Sequence, residues 1–259
     1  MARPGSPLTS ARSGRHASLL RECGSTQDVV RIAAGEGAAA GFVAVTDHQT
    51  DGRGRRGRSW ADEPGESLMF SMLLRPAAPT EALAPLALVV GIGLAEALPI
   101  AARIRWPNDI VIGGAKVAGI LTELETPPTG GRFVIVGVGI NANTPADRLP
   151  ATDRLPATSL LVESGERQDR LALLHDVTAG IDAAYREWEE SGFGALRDRF
   201  AALDDLAGRG VALQLGADSV TGTAAGVDDA GRLVVALPGG GERRLGAGEV
   251  VRVEDGAGS

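Results

Sequence analysis

Gly113-Gly114 separates two apolar runs, Ile110–Ile112 and Lys116–Glu125. A two-residue glycine turn at that spacing dictates a β-hairpin, because the tight hairpin turn needs positive φ at both central positions. The same texture continues on either side. Arg103–Trp106 is predicted as a strand that Pro107-Asn108-Asp109 turns back, and Pro127 to Gly131 turn the chain into a strand at Phe133–Ile140. Upstream, Phe42–Thr46 and Ser67–Leu74 read as buried strands. The core is therefore expected to be a largely antiparallel sheet.

Helical signals punctuate this pattern. Gly24-Ser25-Thr26-Gln27-Asp28 opens a helix to about Ala34, with Ser25 or Thr26 as N-cap. A second helix is predicted over Glu81–Leu98, with Leu83, Leu86, Val90 and Leu94 on one stripe. A third runs from Asp169 to Trp188 on Leu171, Leu174, Val177, Ile181, Ala184 and Trp188, and a shorter one spans about Phe193–Leu206. At Ala207–Gly210 the texture changes to five short strands, with turns at Asp228-Asp229-Ala230-Gly231 and Pro238–Gly241, the size of a small SH3-like β-barrel. The expected organisation is a mobile N-terminal tail over 1–23, with a short strand at Ala17–Leu20. A main domain over 24–206, a barrel over 207–253 and a tail over 254–259 follow. Asp147–Thr152 and Asp153–Thr158 repeat DRLPAT twice, which reads as a lengthened surface loop.

Apolar residues at 44% and charged residues at 23% are ordinary for a globular protein. The longest uncharged apolar run, Ala82–Ala95, has 14 residues and contains Pro85. That is short of the roughly 20 a membrane crossing needs. Cys23 is the single cysteine, which allows no internal disulfide, and the first 24 residues show no secretory apolar segment; a cytoplasmic protein is expected. A net charge of −7 argues against a general nucleic-acid binder. Of the 26 basic residues only Lys116 is a lysine. Where arginine has been used everywhere else, a flexible point-charge ammonium is a candidate for chemistry.

Between two predicted strands lies an aperiodic segment, Asp47 to Glu66, containing Gly52-Arg53-Gly54-Arg55-Arg56-Gly57-Arg58. Its glycines allow close backbone approach and its guanidinium forks match carboxylate or phosphate oxygens, so a small anionic ligand is expected, with a solvated basic loop as the plain alternative. Ser25-Thr26-Gln27 reads first as a helix cap, and Trp106-Pro107-Asn108-Asp109 as a turn. Gly137 and Gly139 inside a strand point to something large approaching the backbone.

In this order the segments closely resemble the bacterial biotin protein ligases. The carriers of the resemblance are Ser25-Thr26-Gln27, Gly52–Arg58, Arg105–Asp109, the strand Lys116-Val117-Ala118-Gly119-Ile120-Leu121 and the strand end Gly137-Val138-Gly139-Ile140-Asn141, over about residues 24–253. Gln27 stands where the family usually has asparagine, and Arg105 where it usually has lysine. With 24 residues before Ser25, the chain is similar to the short class without a DNA-binding domain.

The resemblance implies an α+β fold, a class II synthetase-like mixed sheet with helices followed by the small barrel. It implies formation of biotinyl-5′-AMP from biotin and ATP, then transfer of biotin to a lysine of a biotin carboxyl carrier protein. Lys116, Arg55 and Asp109 become the catalytic candidates. Ser25, Thr26, Gln27, Gln49, Arg53, Gly54, Arg55, Lys116, Gly119 and Leu121 become the biotin-binding candidates, and Arg53, Arg55, Arg56, Arg58, Trp60 and Asn141 those for ATP and the adenylate. Mg²⁺ is expected to arrive with ATP, with no metal cage of its own, and loop 48–66 to order over the adenylate. The expected protein is a monomer or weak homodimer with no nucleic-acid or membrane partner. The competing readings are a lipoate or octanoate ligase of the same fold, a catalytically dead biotin-binding regulator and a nucleic-acid-binding module.

Overall fold

The structure is a computed structural model that describes residues 7–9, 16–127, 131–152 and 155–254. In chain order the elements are β1 (Pro7–Thr9), β2 (His16–Leu20), α1 (Thr26–Gly35), β3 (Val43–Thr46), β4 (Leu68–Leu74), α2 (Leu86–Ala97), β5 (Arg103–Arg105), β6 (Asp109–Ile112), β7 (Ala115–Glu125) and β8 (Phe133–Ile140). They continue with α3 (Leu160–Ser164), α4 (Arg170–Ser191), α5 (Arg197–Leu203), β9 (Gly210–Leu215), β10 (Asp218–Val227), β11 (Leu233–Ala236), β12 (Glu242–Leu245) and β13 (Glu249–Glu254). The chain divides into two compact units, residues 1–77, 117–150 and 157–174 in one and residues 78–116, 151–156 and 175–259 in the other.

The first unit is built on strands in the order β1-β2-β3-β4-β8-β7. β2 and β3 run parallel, because α1 carries the chain back between them; the other neighbours are antiparallel. Val30 and Ala34 of α1 bury against Ala44, Leu73, Phe133 and Ile135, which anchors the helix on one face of the sheet. Removing Val30, Leu73, Phe133 or Ile135 from water contributes about 1.5–3 kcal/mol each. Ser25 caps α1, its hydroxyl accepting from the Gln27 N–H.

In the second unit the β5–β6 pair turns through Gly113 and Gly114, at φ 57° and 83°, into the first residues of β7. β9–β13 form an antiparallel sheet in the order β12-β11-β10-β9-β13. α2 and α4 meet at Gly93 and Gly180, where a Cβ on either glycine would lie 2.4 Å from the other's carbonyl oxygen. Trp106 is buried and donates from Nε1 to the Gly231 carbonyl at 3.2 Å, and a Cβ at Gly231 would meet Pro85 at 2.7 Å. The loop at Gly231 between β10 and β11 thus packs on Trp106 and on the start of α2.

Several expectations are revised. The helix over Glu81–Leu98 is instead a 3-10 turn, Thr80–Leu83, followed by α2, because Pro85 supplies no N–H to continue the ladder. By length and composition Thr80–Ala97, with mean hydropathy 1.5, could cross a membrane, so the apolar stretch is longer than the uncharged run. Its Leu86, Leu88, Val89, Val90, Ile92 and Leu94 are nevertheless buried in this fold. On α4 Leu171 is exposed and Leu173 is buried instead. The helix expected over Phe193–Leu206 is a 3-10 turn and α5, which ends at Leu203. β1 and β2 form an antiparallel pair inside the stretch expected to be a mobile tail, where backbone pairing needs no apolar periodicity. Residues 1–6 and 10–15 of that tail, the centre of the Pro127–Gly131 turn, the start of the second DRLPAT copy and residues 255–259 lie outside the described residues.

Candidate functional site

In the first unit the sheet register aligns Ser71, Gly137 and Leu121 across β4, β8 and β7, and Met69, Gly139 and Gly119 one row on. Residues directly opposite share a face, so the three glycines expose backbone in a strip where side chains would stand. Two side chains close over that strip. A Cβ at Gly139 would lie 2.5 Å from the Trp60 indole, and one at Gly137 would lie 2.6 Å from Gln27 Nε2. The approach to these strand glycines is therefore made by the protein's own tryptophan and amide.

The start of α1 frames the strip. Thr26 donates from its backbone N–H and its hydroxyl to Gln49 Oε1, at 2.8 and 3.2 Å, and its hydroxyl shares a 2.8 Å hydrogen bond with Ser71. Gln27 is buried and donates from Nε2 to the Leu121 carbonyl at 3.0 Å, leaving Oε1 buried without a hydrogen-bond partner in the protein. An unsatisfied buried acceptor costs about 1–3 kcal/mol, so the atom fits a ligand donor.

The arginine segment folds into a small hairpin. Trp60 N–H donates to the Gly52 carbonyl at 2.8 Å and Gly54 N–H to the Arg58 carbonyl at 2.7 Å. Gly52 is required by the hairpin itself, since a Cβ there would sit 2.5 Å from the Trp60 carbonyl oxygen. Arg56 and Arg58 are exposed, and Arg56 takes a left-handed conformation at φ 58°. Arg53 is committed elsewhere: Nη1 and Nη2 both donate to Asp28, at 2.9 and 2.8 Å, while its Nε is buried with no partner in the protein. That hydrogen-bonded pairing holds the Asp28 carboxyl below the usual carboxylate range, with the Arg31 charge adding to it, and raises Arg53 in return. Arg31 continues the network to Glu123 at 2.7 Å and Glu125 at 2.8 Å on β7.

Asn141 ends β8 with its amide turned inward, donating to the Thr158 carbonyl at 2.9 Å. Asn143 brackets Gln168, donating to its carbonyl at 3.0 Å and accepting its N–H at 2.7 Å. Both asparagines therefore fix the chain that follows β8.

In the second unit Lys116 Nζ lies 2.6 Å from Asp109 Oδ1, both side chains about a quarter exposed. The Lys116 N–H donates to the Pro156 carbonyl. Arg105 is partly buried and pairs with the buried Asp205 at 2.5 Å. Lys116 is the second residue of the strand on which Gly119 and Leu121 lie three and five residues further along. Among the described residues no three His, Cys, Asp or Glu side chains cluster as metal ligands.

Sequence reasoning passed over Asp28, Arg31, Ser71 and Asp205. Asp28 and Arg31 carry a faint signal, opposite charges at i, i+3 in the first turns of a helix. Ser71 and Asp205 carry none, since their partners are distant in sequence.

Residues 25–141 match the Biotin/lipoate A/B protein ligase family, and residues 207–253 match the Biotin protein ligase C terminal domain. The biotin--[acetyl-CoA-carboxylase] ligase of Mycobacterium tuberculosis is 31% identical over 257 residues, spanning 95% of this chain and 92% of that protein. The bifunctional ligase/repressor BirA of Bacillus subtilis is 33% identical over 230 residues, 86% of this chain and 70% of that protein. Among solved structures, the biotin protein ligase from Aquifex aeolicus in complex with biotin and ATP superposes with a TM-score of 0.76 at 29% identity, covering 92% of this chain and 98% of that one. Together with the glycine strip, the arginine hairpin and the single lysine, these matches show that the chain belongs to the biotin protein ligase family.

Proposed function

We propose that the chain joins biotin to ATP as biotinyl-5′-AMP with release of pyrophosphate, and then transfers the biotinyl group to a lysine of a biotin carboxyl carrier protein. The observation that carries this reading is the buried, unpartnered Gln27 Oε1 beside the glycine strip. It is a hydrogen-bond acceptor set over bare backbone, suited to the ureido N–H of a flat bicyclic ligand. Gln27 supplies the amide expected of the family's asparagine, and its extra methylene lets Nε2 reach the Leu121 carbonyl. Ser25, Thr26 and Gln49 complete the polar end, and Gly119 and Leu121 lie along the apolar one.

In the first step a biotin carboxylate oxygen attacks the α-phosphorus and the bond to pyrophosphate breaks. Two anions must approach, so positive charge at the reacting atoms lowers the barrier. Lys116 supplies it in this reading, and its ion pair with Asp109 fixes the ammonium before substrate arrives. Arg53, spent on Asp28, holds the hairpin in place and offers its Nε–H and the Gly54 backbone; Arg55, Arg56 and Arg58 face the phosphates. Mg²⁺ accompanies ATP and offsets phosphate charge when bound. Trp60 covers the nucleotide side, with Asn141 shaping the adenine pocket through its hold on Thr158. In the second step the carrier amine attacks the acyl carbon, AMP leaves, and the amine proton is lost. In this reading Asp109 orients that amine. We place the reaction in the cytoplasm, acting on a carrier domain and not on nucleic acid.

The test is mass spectrometry of the protein incubated with Mg-ATP and biotin, beside lipoate and octanoate. Biotin-dependent adenylate, lost in Lys116→Ala, supports the reading. Adenylate from lipoate or octanoate alone moves the chain to the sister activity, and none from any acid overturns the enzyme.

A further inference from the structure

Asp109 has two cationic neighbours in its own unit. Lys116 Nζ takes its Oδ1 at 2.6 Å. Arg105 stands directly opposite Asp109 in the β5–β6 register, where side chains of opposite charge attract. Arg105 is nonetheless turned to a different carboxylate: its Nε donates to Asp205 Oδ2 at 2.5 Å, with Asp205 buried and the Arg105 side chain partly so. Asp205 is itself fixed. Its backbone N–H donates to the Ile104 carbonyl at 3.0 Å, Asp204 bridges to Ile104 beside it, and Arg209 closes on its other oxygen at 3.5 Å. The Arg105 guanidinium lies 4.0 Å from where a Cβ would stand on Gly114, in the turn that leads to Lys116. Charges thus alternate in sign along Arg209, Asp205, Arg105, Asp109 and Lys116.

We propose that Asp205 is a positioning residue for adenylation: by engaging Arg105 it leaves the Asp109 carboxylate to Lys116 and so fixes the ammonium. Without Asp205, Arg105 turns to the carboxylate across from it and the Lys116 ion pair opens. The role in adenylation rests on the ligase reading; the effect on Lys116 does not.

Lys116 being the single lysine, its amine can be followed without substrate. The full-length protein is acylated at fixed pH with a water-soluble amine reagent, and modification of Lys116 is followed by peptide mass spectrometry. In Asp205→Asn, acylation of Lys116 is expected to rise about threefold, the size of losing one partly exposed ion pair. Biotinyl-adenylate formation falls alongside. Adding Arg105→Gln removes the competing charge, and the double variant returns Lys116 acylation and adenylation towards wild type. General loosening predicts the reverse, because a second, partly buried side chain is lost. Unchanged acylation in Asp205→Asn, or no rescue in the double variant, overturns the proposal. Wild-type protein that forms no adenylate would instead count against the ligase reading, with the acylation result still standing.

Discussion

Asp28 receives both terminal nitrogens of Arg53, at 2.8 and 2.9 Å, so the first turn of α1 holds the arginine hairpin from below. A bidentate carboxylate–guanidinium pair fixes orientation as well as distance. The hairpin's own hydrogen bonds shape it, and Asp28 sets where it points. Arg31 and its glutamates on β7 keep Asp28 in turn from swinging away.

Asp28→Asn should therefore leave the fold intact while the hairpin loses its anchor. The expected result is a fall of up to roughly a hundredfold in kcat/KM for biotin, the size of effect that misplacement of reacting groups by about 1 Å produces. Hydrogen exchange at the Gly54 and Trp60 amides should quicken in the same variant. A pH dependence follows with a definite sign. The Asp28 pKa is lowered in the folded chain, so the clamp is fully present above the ordinary carboxylate pKa of about 4 and is lost as pH falls through the lowered value. Hairpin exchange in wild type should accelerate only in that acid range.

What could be read from the sequence was what is local. Gly113-Gly114 forces its turn through two neighbouring residues, and the structure shows both at positive φ. β8 and β12 likewise occupy Phe133–Ile140 and Glu242–Leu245, as alternation and turn residues predict. Pairings between distant segments could not be read that way. Nothing near Asp28 announces Arg53, 25 residues on, and nothing in the N-terminal stretch marks His16–Leu20 as the parallel neighbour of β3. The strand glycines were legible as places of close approach, but not that Trp60 and Gln27 make that approach.

The α2–α4 crossing tests the packing of the second unit. With 2.4 Å between a new Cβ and a facing backbone carbonyl oxygen, neither helix can yield by moving a side chain. Gly93→Ala or Gly180→Ala should lower stability by about 1–3 kcal/mol despite the better helix propensity of alanine. Urea unfolding followed by tryptophan fluorescence measures it; an unchanged midpoint would show that the helices can part at no cost.

Asp204 gives the chain a second pH signature. It is buried, one oxygen accepts the Leu206 N–H at 2.8 Å, and the other has no hydrogen-bond partner in the protein. Burial, assisted by the neighbouring Asp205 charge, pushes its pKa up to about 6. Because this pKa is raised, the folded chain holds the proton longer than the unfolded one. Stability therefore falls as pH rises from about 4 to about 6, and the penalty stays constant above that. Two units correspond to about 2–3 kcal/mol at most. Asp204→Asn keeps the acceptor for Leu206 and removes the titration, so its unfolding midpoint should change less between pH 4 and 6 than that of wild type.

The sharpest test of the glycine strip compares two single methyl groups. At Gly139 a Cβ would lie within 2.8 Å of three atoms of the Trp60 indole, a rigid ring that can leave only as a whole. At Gly137 the nearest atom is Gln27 Nε2, the far end of a flexible side chain, which can withdraw by rotating at the expense of its bond to the Leu121 carbonyl. Gly139→Ala should displace Trp60 and weaken adenylate retention by roughly a hundredfold or more, in line with an overpacking cost of about 1–3 kcal/mol together with loss of the cover. Gly137→Ala should instead act on biotin, raising its KM by roughly tenfold while leaving the KM for ATP unchanged, since about one buried hydrogen bond is lost. Isothermal titration with biotin, and with ATP in the presence of biotin, separates the two effects. If both variants lost biotin and ATP affinity in equal proportion, the strip would be a structural seam of the sheet with no division of labour along it.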